Sequence, residues 1–239
     1  MKATSDTALS APKQRIVTVV VMLLWCMGLL SYRSYLMLHS FVGGDKSDLG
    51  LLWNLFLAVV PLLWSLAFRS ASTRKRPVLA AVFFLLWLLF LPNAPYLLTD
   101  LIHLHPSPDV PLWYLLAVLM SCAGAGTILG YFSLIHVQTV MEQKYGNKIG
   151  WTVAVCSLML CSFGIYLGRC LHRNSWDVFT HPVQLLGTIV NQFLHPGLQP
   201  HPLAVTLVFG ISLLIGYLVL RVFSASVYPG AASRQMGIQ

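Results

Sequence analysis

Residues 77–105 read PVLAAVFFLLWLLFLPNAPYLLTDLIHLH, an apolar run that stops at a Pro-Asn-Ala-Pro turn and then resumes. Residues 77–91 carry no charge and are apolar on every side, which indicates a helix surrounded by lipid. At the standard helical rise they reach only about 22 Å, less than the roughly 30 Å hydrocarbon core. Pro92 ends the run, because proline lacks an amide hydrogen and clashes with the carbonyl four residues earlier. The stretch therefore predicts a membrane helix that breaks before it has crossed.

The second half of this stretch predicts a polar site. Residues 96–105 resume a helix-like pattern, and Asn93 is expected to cap its start. A broken helix leaves bare carbonyls on one half, here those of Leu88 and Leu91, and a positive helix start on the other. Transporters and channels hold ions and polar substrates at such breaks.

The rest of the chain repeats the apolar pattern. Hydrophobic residues make up 57% of the 239 residues, charged residues make up 9%, and the mean hydropathy is +0.74. A soluble domain of this size cannot bury so much apolar surface. We predict six transmembrane helices, with the third one broken, in an all-α polytopic membrane bundle. Their bounds are Ile16–Leu38, Leu49–Phe68, Pro77–Leu91, Leu112–Ile135, Ile149–Gly168 and Leu203–Phe223.

Three further segments complete the predicted organisation. Residues 1–15 are expected to form a flexible cytoplasmic N-terminus, residues 16–223 the transmembrane domain, and residues 224–239 a cytoplasmic tail. Between His181 and His195, apolar residues at 183, 186, 190 and 193 oppose polar ones at 184, 188 and 191. This periodicity predicts a short interfacial helix on the outer leaflet, too short to span the membrane.

The basic residues predict the orientation. With the N-terminus in the cytoplasm, eleven Lys and Arg side chains fall inside and four outside, so the positive-inside rule places both termini in the cytoplasm. The outer four are Arg33, Lys46, Arg169 and Arg173. The net charge of +8 is not clustered as in a nucleic-acid-binding protein, so no nucleic-acid partner is predicted.

Polar side chains converge on the predicted outer side, and polar groups at membrane depth usually have partners or a purpose. The predicted ligand-binding residues are Asn54, Asn93, Thr99, Asp100, His103, Arg169, Arg173, Asn174 and Asp177. Arg169 and Arg173 are four residues apart on one helical face, and paired guanidinium groups suit a phosphate or a carboxylate. The alternative is an internal salt bridge, Arg173 with Asp177 or Arg169 with Asp100.

No metal or cofactor is predicted. Asp100 and His103 are zinc-ligand types on one helical face, but a zinc signature spacing is absent. The five cysteines lie in or beside apolar runs and are interpreted as buried small hydrophobic residues. Gly126 and Gly130 have the spacing that lets a neighbouring helix approach closely.

Three motifs together resemble a bacterial family of predicted integral membrane proteins known only as domain of unknown function 1361. They are WNLFL at 53–57, LPNAPY at 91–96 followed by TDLIHL at 99–104, and NSWD at 174–177. The likeness covers about residues 49–223. It implies an inner-membrane location in bacteria and no particular activity, and its motif residues coincide with the predicted outer-side polar residues.

These patterns leave three functions open. The first is binding or transport of a small anionic or zwitterionic solute, or of a lipid headgroup, in a polar pocket on the outer side. The second is an outer-face membrane enzyme acting on lipid-linked substrates, with Asp100 or His103 as acid, base or metal ligand. The third is a non-catalytic accessory subunit. Membrane lipids are predicted partners, and a homo-oligomer is left open.

Overall fold

The computed structural model describes residues 11–39, 47–103, 111–170, 180, 183–184, 186–187, 190–191 and 202–227. Within these ranges the chain is helical apart from short connections, and no strand is present. The helices are α1 (Ala11–His39), α2 (Ser47–Thr73), α3 (Pro77–Phe90), α4 (Asn93–Tyr96), the 3-10 helix η1 (Leu97–His103), α5 (Leu112–Tyr145), α6 (Asn147–Cys170) and α7 (Pro202–Val227). The all-α prediction is confirmed.

The helices form a multi-pass membrane bundle. Five stretches are long and apolar enough to cross a membrane: Gly50–Thr73, Pro77–Leu101, Leu112–Tyr145, Asn147–Arg169 and Pro202–Val222. In α1 the apolar stretch Val17–Tyr32 is shorter, but α1 has 29 residues and reaches about 44 Å. Large apolar side chains such as Leu24, Val78 and Leu85 point away from the protein, as expected of surfaces solvated by lipid.

Helix α5 is the centre of the bundle. It packs against α1, α2, α4, η1 and α6, whereas α3 packs mainly on α2 and α7 mainly on α6. Its buried residues join two apolar cores, one with α1, α2 and η1 and the other with α3, α6 and α7. Because η1 and the last turn of α6 both lie beside α5, polar groups on these elements come together.

The predicted break in the third helix is present, but the chain never leaves the right-handed helical region. Leu91 has φ −52° and ψ −40°, and Pro92 has φ −59° and ψ −26°. The Ala94 amide donates to the Leu91 carbonyl at 3.2 Å, and Asn93 Nδ2 donates to the Phe90 carbonyl at 3.1 Å. The helix therefore changes to a hydrogen bond between residues three apart, because Pro92 and Pro95 supply no amide hydrogen.

Two expectations about this break are wrong. Asn93 does not cap α4, because Pro92 occupies the N-cap position and no side chain caps the amides there. The carbonyl of Leu91 is not bare, since the Ala94 amide reaches it from three residues on. The reason is the same in both cases: the turn stays helical, so Asn93 faces the preceding turn rather than the following one.

Glycines hold the broken turn in place. A Cβ at Gly126 of α5 would clash with the Ala94 carbonyl oxygen, and one at Gly130 would lie 3.1 Å from the Ala94 Cβ. On the other side, a Cβ at Gly164 of α6 would lie 2.5 Å from Pro92 Cγ. The close approach predicted for Gly126 and Gly130 is therefore confirmed, and the element that approaches is the Pro-Asn-Ala-Pro turn itself.

Most of the predicted interfacial helix lies outside the described residues. Those that are described, at 183–184, 186–187 and 190–191, are helical. Val183, Leu186 and Val190 are exposed in this segment. Residues 1–10 and 228–239, which make up most of the two predicted terminal segments, also lie outside the described part of the chain.

Candidate functional site

Asp100 lies where three elements meet. It is on η1, and its Oδ1 lies 3.5 Å from a terminal guanidinium nitrogen of Arg169 in the last turn of α6. Its Oδ2 accepts a long hydrogen bond, 3.4 Å, from Nδ2 of Asn54 on α2. We call Asn54, Thr99, Asp100 and Arg169 the Asp100 cluster. The ion pair between Arg169 and Asp100, one of the alternatives raised by the sequence, is present.

Arg169 is anchored by the backbone of η1. Its other terminal nitrogen donates to the Thr99 carbonyl at 2.9 Å, which is shorter than its contact with Asp100. The Thr99 hydroxyl donates to the Tyr96 carbonyl at 2.7 Å, and its side chain is only 2% exposed. Thr99 therefore contributes its carbonyl to the cluster, while its hydroxyl stabilises the 3-10 turn.

The ion pair is loose and accessible. Strong charge-assisted hydrogen bonds measure about 2.7–2.9 Å, and the contacts of Asp100 with Arg169 and Asn54 are 0.6 Å or so longer. The side chains of Arg169 and Asp100 remain 19% and 16% exposed. Neither charge is fully buried in the described part of the structure.

The other predicted site residues divide into two groups. Asn93 is half-buried, and at least one of its amide hydrogens is used on the Phe90 carbonyl, at the break rather than at Asp100. His103 ends η1, but its side chain lies outside the described part of the structure, as do Arg173, Asn174 and Asp177. The roles predicted for these four side chains, and the alternative Arg173–Asp177 salt bridge, stay predictions.

The part of the chain that the structure describes contains no group of three or more His, Cys, Asp or Glu side chains that could hold a metal ion. The charged chemistry that the described side chains of the Asp100 cluster offer is one carboxylate and one guanidinium. Together with the Asn54 amide, such a set binds charged and polar groups by hydrogen bonds and ion pairs.

A second polar arrangement joins α5 to α7, and the sequence did not predict it. The Tyr131 hydroxyl donates to the Leu213 carbonyl at 2.9 Å, and the Tyr217 hydroxyl donates to Gln138 Oε1. Gln138 Nε2 in turn donates to Glu142 at 2.7 Å, and the same carboxylate lies 3.6 Å from Arg221. We call these contacts the polar ladder.

The polar ladder repeats at helical spacing. Its positions on α7 are 213, 217 and 221, four residues apart, and those on α5 are 131, 138 and 142, so each set lies on one helical face. Arg221 also lies over the Trp151 ring of α6, 5.6 Å from its centre. The sequence signal was weak, because Leu213 contributes only its backbone carbonyl and α7 therefore offers two polar side chains, Tyr217 and Arg221.

The comparisons place the Asp100 cluster within a family match. A family model described as a protein of unknown function, DUF1361, matches residues 53–215. This range contains Asn54, Asp100 and Arg169, and it stops before Tyr217 and Arg221 of the polar ladder. No curated protein and no solved structure matches the chain. Since the matched range covers most of the chain, the protein belongs to the DUF1361 family.

Proposed function

We propose that the Asp100 cluster binds a small zwitterionic or anionic group, carried by a solute or a lipid headgroup, on the outer side of a bacterial cytoplasmic membrane. The observation that supports this most directly is the difference in length between the two contacts of Arg169. Its guanidinium is held at 2.9 Å by the Thr99 carbonyl but pairs with Asp100 at 3.5 Å. The guanidinium is thus oriented by an uncharged partner, and its charge is only loosely compensated.

Unused hydrogen-bonding capacity supports the same proposal. A guanidinium has five N–H donors, and in this part of the structure two contacts of Arg169 are present. The remaining donors are accessible, because the side chain is 19% exposed. A phosphate or carboxylate that takes two of them forms a bidentate contact, the strongest geometry available to arginine.

The neighbouring carboxylate favours a zwitterion over a simple anion. Asp100 lies beside Arg169 at 3.5 Å, so a purely anionic ligand is repelled by one group while it binds the other. A ligand with an amine and an acidic group satisfies both charges at once. The Asn54 amide, 3.4 Å from Asp100, adds a polar neighbour on the side of α2.

The test compares two ligands that share a phosphate and differ in the amine. Thermal unfolding of the full chain in detergent is followed with glycerophosphoethanolamine and with glycerophosphoglycerol, a phosphodiester without the amine. We expect the zwitterion to stabilise the protein by about 2.7 kcal/mol at a hundredfold excess over its Kd, and the anion to stabilise it less at the same concentration. Phosphatidylethanolamine dissolved in mixed detergent micelles serves as the lipid-borne form of the same headgroup.

Arg169→Ala and Asp100→Asn should abolish this stabilisation while the protein still inserts and remains folded. Arg221→Ala is the matched control, because Arg221 also pairs with a carboxylate, at 3.6 Å, and is similarly exposed. It should keep the ligand-dependent stabilisation. If both site variants fail to fold, the ion pair is structural, and if both still respond to ligand, the site lies elsewhere; either result contradicts the proposal.

A further inference from the structure

The end of the bundle opposite the Asp100 cluster carries a dense group of exposed cations. Three of these cations form the connection between α2 and α3, and the others lie within α2, α5 and α6, near that connection or the one between α5 and α6. We call them the basic face: Arg69, Arg74, Lys75, Arg76, Lys144 and Lys148. This group is independent of the Asp100 cluster and of the function proposed for it.

Both connections lie at the same end of the molecule. Ser65 of α2 and His136 of α5 are joined by a hydrogen bond of 3.3 Å, each about two helical turns before its helix ends. The first halves of α2 and α5 share one apolar core and their second halves share the other, so the two helices run in the same direction and end at the same level. Their following turns are short, three residues from Arg74 to Arg76 and the single residue Gly146.

No described acid neutralises the basic face. At this end of the bundle, Glu142 is the one carboxylate whose side chain the structure describes, and it pairs with Arg221 and Gln138. Lys144 lies over the Tyr145 ring, 5.0 Å from its centre, which leaves its charge uncompensated. Six like charges in this small area repel one another unless anions lie among them.

The connection between α2 and α3 presents its cations at a conformational cost. The Arg76 amide donates to the Ala71 carbonyl at 3.0 Å and the Lys75 amide to the Ser72 carbonyl at 3.1 Å, which is a Schellman motif. Its left-handed position usually holds glycine, but here Lys75 occupies it at φ +54°. A backbone outlier of this kind suggests that the side chain is retained for its charge.

We propose that the basic face binds the phosphate groups of anionic phospholipids in the adjacent membrane leaflet. The position of the cations at the ends of the apolar spans favours lipid headgroups as the ligand. The apolar spans end at Thr73 and Tyr145 and begin again at Pro77 and Asn147, so the basic side chains lie within a few residues of the hydrocarbon. At that depth the anions they meet are headgroup phosphates, and each cation near such a surface increases the affinity about fivefold.

The test counts bound lipids on the full chain in detergent by native mass spectrometry. Dioleoylphosphatidylglycerol is compared with dioleoylphosphatidylcholine at about 50 mM and about 300 mM salt. We expect a preference for the anionic lipid that weakens at the higher salt, where charges are screened over a shorter distance. The triple variant Arg74→Gln, Lys75→Gln, Arg76→Gln should lose roughly fivefold in affinity per charge, on the order of a hundredfold in all.

Two further variants separate charge from structure. Lys75→Gly removes one charge but suits the left-handed position, so it should weaken phosphatidylglycerol binding about fivefold while the melting temperature stays level or rises. The same lipid comparison is repeated in the Arg169→Ala background, so that headgroups bound at the Asp100 cluster do not enter the count. The response of Arg169→Ala to glycerophosphoethanolamine tests the function proposed for the Asp100 cluster. It does not test the proposal for the basic face.

Three outcomes would overturn the assignment. One is equal binding of the two lipids by the wild-type protein. Another is an unchanged preference in the triple variant. The third is full displacement of phosphatidylglycerol by polyglutamate or duplex DNA at matched charge concentration, which would assign the basic face to a soluble acidic partner.

Discussion

Arg169 makes its shortest contact with a backbone atom, the Thr99 carbonyl at 2.9 Å. In a 3-10 helix the hydrogen-bond geometry is poorer than in an α-helix, so carbonyls are more available to outside donors. The guanidinium takes this carbonyl with one nitrogen and faces Asp100 with the other. The two terminal nitrogens of the planar guanidinium therefore contact two different acceptors.

Arg169→Lys tests whether this planar geometry is required. An ammonium is a single point charge and cannot hold the Thr99 carbonyl and Asp100 in the same geometry. We expect the variant to remain folded, because lysine keeps the positive charge beside Asp100 and the pair is loose and partly exposed. Its affinity for glycerophosphoethanolamine should fall at least about tenfold, as measured by thermal unfolding across a ligand titration.

Arg221→Lys is the matched control for this prediction, since it makes the same change in the other arginine–carboxylate pair. It should bind the ligand as the wild type does. An Arg169→Lys variant with unchanged affinity would mean that a positive charge alone is sufficient.

At the scale of residues, the sequence brought Asn54, Asp100 and Arg169 together, but it also placed Asn93 beside them and did not identify the atoms that make the contacts. Asn54, Asp100 and Arg169 were identified because polar groups at membrane depth are costly. The contribution of Thr99 through its carbonyl was missed, since residue type predicts side-chain chemistry and says nothing of a backbone that tightens to a 3-10 step. The same tightening is the reason that Asn93 faces Phe90.

At the scale of elements, the Asp100 cluster depends on a turn wedged between two helices. The Ala94 carbonyl and the Pro92 ring occupy the space that side chains at Gly126 and Gly164 would fill. A proline ring and a backbone carbonyl cannot rotate aside, so these contacts tolerate no added atom. The positions of Thr99 and Asp100, which follow this turn directly, therefore depend on both glycines.

Gly126→Ala should displace the turn and with it the site. Overpacking of this kind costs about 1–3 kcal/mol, and we expect weaker ligand binding in addition to lower stability. Unfolding in detergent, with and without glycerophosphoethanolamine, measures both effects.

Gly124→Ala supplies the control on the same helix, because a Cβ there meets nothing within 4 Å. Alanine is favoured over glycine within helices by roughly 0.5–1 kcal/mol, so this variant should be as stable as the wild type or more so. Equal effects of the two substitutions would show that the turn does not need the space at Gly126.

The elements were largely predictable from periodicity and proline placement, and the polar ladder was not. Long apolar runs specify helices because lipid leaves the backbone no other partner. Which polar stripe faces which is a property of two helices at once, and α5 and α7 are far apart in sequence. The pairing of Tyr217 with Gln138 therefore required the packed structure.

At the scale of the whole molecule, charge is distributed unequally between the two ends of the bundle. The end with the basic face carries six exposed cations, while the described side chains of the Asp100 cluster contain one cation and one carboxylate. The positive-inside rule, applied to this distribution, predicts that the basic face is cytoplasmic and the Asp100 cluster external.

Reporter fusions can test this orientation. A reporter that is active only in the cytoplasm should be functional after Gly146 or fused at Gln239. Within residues 104–110, only a reporter that is active outside the cytoplasm should be functional. The reverse pattern would place the Asp100 cluster in the cytoplasm. It would contradict the proposed external location, although not ligand binding as such.

The helical torsions at the break have a consequence for recognition. Leu91, Pro92 and Leu97 all retain right-handed helical angles, and glycine contacts hold the turn from two sides. A molecule that reaches Asp100 thus meets a backbone already ordered by folding. The backbone around Asp100 then loses little conformational freedom when a ligand binds. The proposed binding therefore has a small entropic cost, which matters most for a ligand of few atoms.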